Sequence, residues 1–306
     1  MVNTANNTTS LPSPPFIHAP GIANLRDAGG YALSHQPGKA IRRGILYRAA
    51  DPTRLEPEGV AVLQGLRVTH IFDLRSQKEL DSGVEQPKEW EGAKRVFVPV
   101  FLDKDYSPAA LADRFGLYSS GREGFVQAYA SILEGAAIPG HPYLPFQTIL
   151  NHLASPAGLP SPILVHCSAG KDRIIIAIIL SLCGVSDDVV AHEYSLTELG
   201  LANVRNHTIE RLVASPWLGG DRTKAEVMVS AKAEYLLATL SHIRAAYGSV
   251  ESYVVKNLGV PASTVAKVRE NLIVDDDKAG NDNNLNNNNN NNNNSNNPGF
   301  GCGSNL

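Results

Sequence analysis

Cysteine, aromatic side chains and an excess of charge are all scarce in this chain. Three cysteines, Cys167, Cys183 and Cys302, among 306 residues cannot build a disulfide framework. No charged leader with an apolar stretch opens the sequence. Both features predict a reducing, cytoplasmic setting. The 27 basic and 30 acidic residues leave a net charge of −3, which gives no basic footprint for nucleic acid. The longest apolar run, Ile174 to Cys183, directly follows Lys171, Asp172 and Arg173 and is about half the length a bilayer crossing needs. It predicts a buried helix and no transmembrane segment. The nine histidines show no His-x-x-x-His or His-x-His spacing, so neither a metal nor a cofactor is expected.

What the sequence does have is apolar content, 43% of its residues, enough for a substantial core. Residues 1–20 are rich in Asn, Thr, Ser and Pro and predict a flexible N-terminal arm. From Asp275-Asp-Asp277 the chain runs into poly-Asn, so 275–306 reads as a disordered Asn-rich tail. The stretch between them, 21–274, shows no repeat and no linker, and is expected to be one catalytic domain.

Runs rich in β-branched and aromatic residues predict strands at 45–47, 68–74, 95–101 and 162–166. Helical periodicity marks 57–66, 122–134, 142–154, 171–183, 187–199, 223–247, 249–258 and 262–272. Strands separated by helices imply an α/β fold: a central, mainly parallel sheet with helices on both faces and an extra C-terminal helical layer. The long stretch 103–160 exceeds an ordinary connection and reads as a cover over whatever site the sheet carries.

Pro162-Ile-Leu-Val-His-Cys-Ser-Ala-Gly-Lys-Asp-Arg173 carries the chemistry. A buried strand enters a tight loop and then a helix N-terminus, so the N–H groups of Ser168, Ala169, Gly170, Lys171, Asp172 and Arg173 can curl round one anion. Converging dipoles and a nearby guanidinium favour the thiolate form of a cysteine, which makes Cys167 a nucleophile. Arg173 can clamp phosphoryl oxygens with two parallel donors and stabilise the transition state. Cys-x5-Arg alone is a weak signal; the preceding strand, the glycine and the following helix make it strong.

His166-Cys-Ser-Ala-Gly-Lys-Asp-Arg173 resembles the phosphate-binding loop of the cysteine-dependent protein tyrosine phosphatases, in particular the atypical family with a His-Cys-x-x-Gly-Lys-Asp-Arg loop. Asn24-Leu-Arg-Asp-Ala-Gly-Gly-Tyr31, Gly44-Ile-Leu-Tyr-Arg-Ala49, Ile71-Phe-Asp-Leu-Arg-Ser76, Glu193-Tyr-Ser-Leu-Thr197 and Tyr247-Gly-Ser-Val-Glu-Ser-Tyr253 are similar to that family's segments in the same order. The resemblance implies a phosphatase fold, a cysteinyl-phosphate intermediate and no metal. It further implies dual specificity, with phosphotyrosine, other phosphoprotein residues or phosphoinositides as substrates.

The Trp-Pro-Asp loop that supplies the acid in many tyrosine phosphatases is missing. The resemblance suggests Asp172 as the acid; Asp103 and Asp105 are the topological alternatives, with Asp73 behind them. Lys171 is read either as a second cation for the substrate or as a solvated lysine. His166 either holds the loop and tunes the thiolate or is a buried core histidine. Asp73, Arg75 and Arg48 fall at strand ends, where ligands sit in open α/β sheets, although structural ion pairs are the favoured reading. The family usually has Ser or Thr after the loop arginine, where Ile174 stands here, followed by Ile175. A hydroxyl there can assist the departing thiolate, so the alternative function is a catalytically impaired phospho-binding module. Sulfur transfer is a third possibility, disfavoured by the Arg173 spacing.

Overall fold

The computed structural model describes residues 11–81, 89–102, 108–156, 158–172 and 174–279. Five strands form the main sheet: β1 (Arg26–Asp27), β3 (Leu46–Ala49), β4 (His70–Asp73), β5 (Lys94–Phe97) and β6 (Ile163–His166), in the order β1-β3-β6-β4-β5. All pairings are parallel except β1 with β3. A separate antiparallel pair joins β2 (Lys39–Ile41) to β7 (Ile273–Asp275).

β6, at the centre, is buried at every position, which is why Ile-Leu-Val-His reads as a continuous apolar run rather than an alternating one. The register places Ala49, His166, Asp73 and Phe97 side by side. The strands therefore end level, and the segment after His166 emerges between β3 and β4 at the carboxyl edge of the sheet.

The larger core covers one face. It contains α4 (Gly121–Ala136), α5 (Pro145–Leu153), α6 (Ile175–Leu182), α7 (Asp187–Ser195), α11 (Ala233–Tyr247) and α13 (Ala262–Leu272). A smaller core on the other face gathers Tyr47, Ile71 and Leu164 with Leu63 of α1 (Pro57–Gly65). The expected layered α/β architecture is present. α6 is buried at seven of its eight residues, and Gly184, at φ +91°, ends the run at little steric cost.

Several boundaries differ from the sequence reading. The patterns at 108–119 and 202–213 are helical as well, as α3 (Pro108–Ser119) and α9 (Ala202–Val213), and a short α2 (Gln77–Asp81) follows β4. The expected helix 187–199 divides into α7 and α8 (Thr197–Gly200). The expected helix 223–247 breaks into α10 (Arg222–Val229) and α11, although no Gly or Pro marks the break. The carbonyls of Met228 and Ser230 there accept from Lys171 Nζ, and Ala231 N–H donates to Glu198. The segment 249–258 is one turn, α12 (Val250–Ser252), running into a π-helical turn.

The arm and the tail are corrected in part. Ile17 N–H donates to the Leu25 carbonyl, Asp27 N–H donates to Pro15, and Phe16 is 2% exposed, so 15–20 edges the sheet and has no arm-like freedom. Asp275 pairs with Lys39 in β2, and Asp276 N–H donates to Gly38, which places 275–279 on the body. Nor is 103–160 a cover throughout, because α4 and α5 each bury an apolar face in the larger core.

Candidate active site

The turn after β6 is held from behind by its carbonyls. Asp51 N–H donates to the Ser168 carbonyl at 3.2 Å, Asn24 Nδ2 to Ala169 at 3.0 Å, and Arg48 to Gly170, with Nε at 3.1 Å and Nη2 closer still. In a planar trans peptide the carbonyl and the following N–H point in opposite directions. Fixing these three carbonyls therefore turns the N–H groups of Ala169, Gly170 and Lys171 each away from the donor that holds the preceding carbonyl. Successive N–H groups in a turn conformation make an anion-binding concavity. Gly170, at φ +66°, is required here, since a Cβ would lie 2.2 Å from the Ala49 carbonyl oxygen.

Cys167 lies at the floor of the turn, 2% exposed. His166 beside it is buried, with Nδ1 3.4 Å from the Cys167 carbonyl and Nε2 3.6 Å from Asp73 Oδ2. Burial drives the imidazole below its ordinary value, against the pull of Asp73. Burial alone would raise Asp73, but the His166 ring and the Arg75 and Arg95 guanidiniums outweigh it and hold the carboxyl well below the ordinary range. Arg75 grips Asp73 through Nε and Nη2 at 3.0 and 2.9 Å and reaches Asp51 with Nη1. Asp73 is thus committed to an ion cluster, which leaves it poorly placed to give up a proton.

Lys171 is neither solvated nor free to meet a ligand. It is 3% exposed, its Nζ donates to Met228 O at 2.9 Å and Ser230 O at 3.0 Å, and it lies 4.8 Å from the Phe125 ring centroid. The same ammonium is 3.2 Å from Asp172 Oδ1. Tyr129 Oη also donates to that oxygen, at 3.0 Å, and is itself 2.7 Å from Tyr194 Oη. Among the described residues both contacts fall on Oδ1. Asp172 belongs to the turn, because α6 begins only at Ile175. Arg173, Asp103 and Asp105 lie outside the described residues.

Ile174 and Ile175 are 3% and 0% exposed and join the larger core, so packing absorbs the two residues that depart from the family pattern. Ser168 Oγ donates to Glu79 Oε1 at 2.7 Å, while Glu79 Oε2 accepts from Ser76 N–H. Cys183 is a core residue, its thiol pushed up to about 12 by burial. Among the described residues there is no group of three or more His, Cys, Asp and Glu fit for a metal, and no helix is long and apolar enough to cross a membrane.

Sequence reasoning missed Asn24, Arg26, Glu193, Tyr129, Tyr194 and Glu79. For Asn24, Arg26, Glu193 and Tyr194 a signal existed: each sits in one of the segments similar to the family. Tyr129 carried none, being one aromatic residue on an apolar helix face.

One family model, described as the tyrosine phosphatase family, matches residues 17–274, from just before β1 into β7. The chain belongs to this family and is a phosphatase acting on phosphorylated substrates. It is similar to the triple specificity protein phosphatase PtpB of Mycobacterium tuberculosis, 25% identical over 83% of this chain and 98% of that one. A putative tyrosine-protein phosphatase of Cupriavidus necator is 27% identical over 76% of this chain and 80% of its own length. A tyrosine-protein phosphatase of Nostoc commune is 29% identical over 44% and 46%. These relatives speak for an enzyme and give the binding-module alternative no support.

Proposed function

We propose that the chain hydrolyses phosphate monoesters through a cysteinyl-phosphate on Cys167. The observation that carries this reading is the set of three consecutive carbonyls, Ser168 to Gly170, bound from behind next to a buried cysteine. Oxyanion stabilisation needs donors fixed before the charge develops, and this turn has them. The Cys167 thiolate attacks phosphorus as the ester P–O bond breaks, and Asp172 gives its proton to the departing oxygen. Water then attacks the phosphocysteine, its proton returns to Asp172, and inorganic phosphate and the thiolate separate. Arg173 clamps the equatorial oxygens in both steps.

The substrates are phosphorylated protein residues, phosphotyrosine first. The triple specificity in the name of the Mycobacterium tuberculosis relative supports a range wider than phosphotyrosine, and phosphoinositides are the further class to assay. A cytoplasmic place of action fits a thiolate nucleophile.

Phosphate release from an aryl phosphate by Cys167→Ser decides the matter. No turnover is expected in the folded variant, and wild-type turnover would remove the reading. In the same assay Asp172→Asn is expected to lose roughly 100-fold or more with a phenyl leaving group and far less with a nitrophenyl one. Equal losses with both would pass the acid to Asp103 or Asp105.

A further inference from the structure

Glu193, on α7, is 1% exposed and bridges two arginines. Its Oε1 accepts from Arg26 Nε at 2.7 Å and its Oε2 from Arg48 Nη1 at 2.6 Å. Each oxygen begins an arm that ends on the catalytic turn. In one arm Arg48 donates to the Gly170 carbonyl. In the other Arg26 Nη1 donates to Asn24 Oδ1, and Asn24 Nδ2 donates to the Ala169 carbonyl. The Arg26 contact settles which end of the Asn24 amide is the acceptor, so the NH2 end is the one presented to the loop. Burial resists ionisation of Glu193, yet Arg26 and Arg48 outweigh it and keep the carboxyl below its ordinary value.

A sealed Arg-Glu-Arg cluster rarely stabilises a fold better than apolar side chains of the same volume would. Stability alone therefore does not account for it, and the two arms supply another role. We propose that Glu193 is a positioning residue of the phosphatase reaction: through Arg48 on one arm and Arg26 and Asn24 on the other, it fixes the peptides of Ala169 and Gly170 so that the following N–H groups meet the oxyanion. It touches neither substrate nor Cys167 and acts only through the direction of the loop. The inference rests on the functional reading above for its reaction. The peptide geometry it concerns exists with or without turnover.

The test measures tungstate affinity, kcat and Tm on the full chain. Asn24→Gly removes one arm while tolerating the left-handed backbone at φ +60°, and Arg48→Lys keeps the charge but loses the planar fork. Tyr253→Phe, which deletes a core hydrogen bond to the Leu133 carbonyl, serves as a control for lost stability alone. Asn24→Gly and Arg48→Lys are each expected to weaken tungstate binding and lower kcat by roughly ten- to hundredfold, and Tyr253→Phe is expected to lower Tm only. Glu193→Gln should weaken tungstate binding too, and combining it with Asn24→Gly should cost less than the two losses multiplied. Wild-type tungstate affinity in folded Asn24→Gly and Arg48→Lys would overturn the inference. Should wild type bind tungstate but hydrolyse nothing, the functional reading fails and the tungstate comparison still judges the positioning role. Should wild type not bind tungstate at all, both fall.

Discussion

Two buried ion clusters flank the end of β6, and they differ in what they hold. On the β3 side Arg26, Glu193 and Arg48 have side chains 0%, 1% and 6% exposed, and side chains from this cluster end on loop carbonyls. On the β4 side Asp73 is sealed, but its partners lead outward: Arg75 is 5% exposed, Arg95 21% and Asp51 35%. That side reaches the turn by the Asp51 backbone N–H and by the His166 ring. The first cluster gives the loop its direction. The second neutralises a carboxylate that the strand end places beside the nucleophile, and its outer members are open to screening by salt.

The sharpest break in the comparison is steric and falls on the β3 side. Gly170→Ala forces a Cβ to within 2.2 Å of the Ala49 carbonyl oxygen at φ +66°. The turn must shift off the end of β3, and its carbonyls must leave Arg48 and Asn24. Activity is expected to fall by roughly 100-fold or more, as when oxyanion donors are lost outright. Gly38→Ala is the comparison, since φ is +76° there with nothing within 4 Å. That change is expected to show backbone strain of about 1–2 kcal/mol and unchanged steady-state kinetics. Normal kcat in Gly170→Ala would mean that contact with β3 does not shape the site.

Next in size is the stability of the two clusters. Asp73→Asn leaves Arg75 and Arg95 without their shared anion, and Glu193→Gln does the same to Arg26 and Arg48. Breaking a buried pair in this way costs about 3–5 kcal/mol, and urea unfolding of both variants is expected to fall in that range, with Asp73→Asn the milder because Arg95 and Asp51 can rehydrate. The clusters should part in tungstate affinity, with Glu193→Gln the more affected. Equal loss of affinity would erase the distinction between direction and neutralisation.

How these clusters were legible differs in the same way. The strands and helices with clean periodicity, such as β6 and α6, stood in the sequence, and so did the loop with Cys167, Gly170 and Asp172. Arg48, Asp73 and Arg75 drew notice because they fall at predicted strand ends, where ligands sit in open α/β sheets. Glu193 drew none for its chemistry, because its partners Arg26 and Arg48 lie 167 and 145 residues away and no local pattern encodes such a meeting. The α10–α11 break was hidden for a similar reason: the carbonyls of Met228 and Ser230 there accept from Lys171, 57 and 59 residues away. Long-range hydrogen bonds to backbone carbonyls, which set the site, are the class of contact that periodicity cannot report.

The smallest effect concerns acid. Glu193 and Asp73 are both held below their unfolded values of 4.5 and 3.8, so each stabilises the fold fully above that value and loses its contribution as the pH falls through the depressed, folded one. The unfolded state takes up the proton first, and each group then adds at most about 1.4 kcal/mol per pH unit to the acid slope. Loss tied to Glu193 should set in below about pH 4.5, and loss tied to Asp73 below about pH 3.8. Urea melts in half-unit steps from pH 6 to 3 are expected to show the earlier part of the slope missing in Glu193→Gln and the later part missing in Asp73→Asn. Raising the salt to about 1 M, where screening acts within roughly 3 Å, should shrink the Asp73 part more, because Arg95 and Asp51 face water and the Glu193 cluster does not. Identical acid slopes in wild type and both variants would show that neither carboxylate is bound more tightly in the fold than out of it, and the contrast between a sealed and an open cluster would have no energetic content.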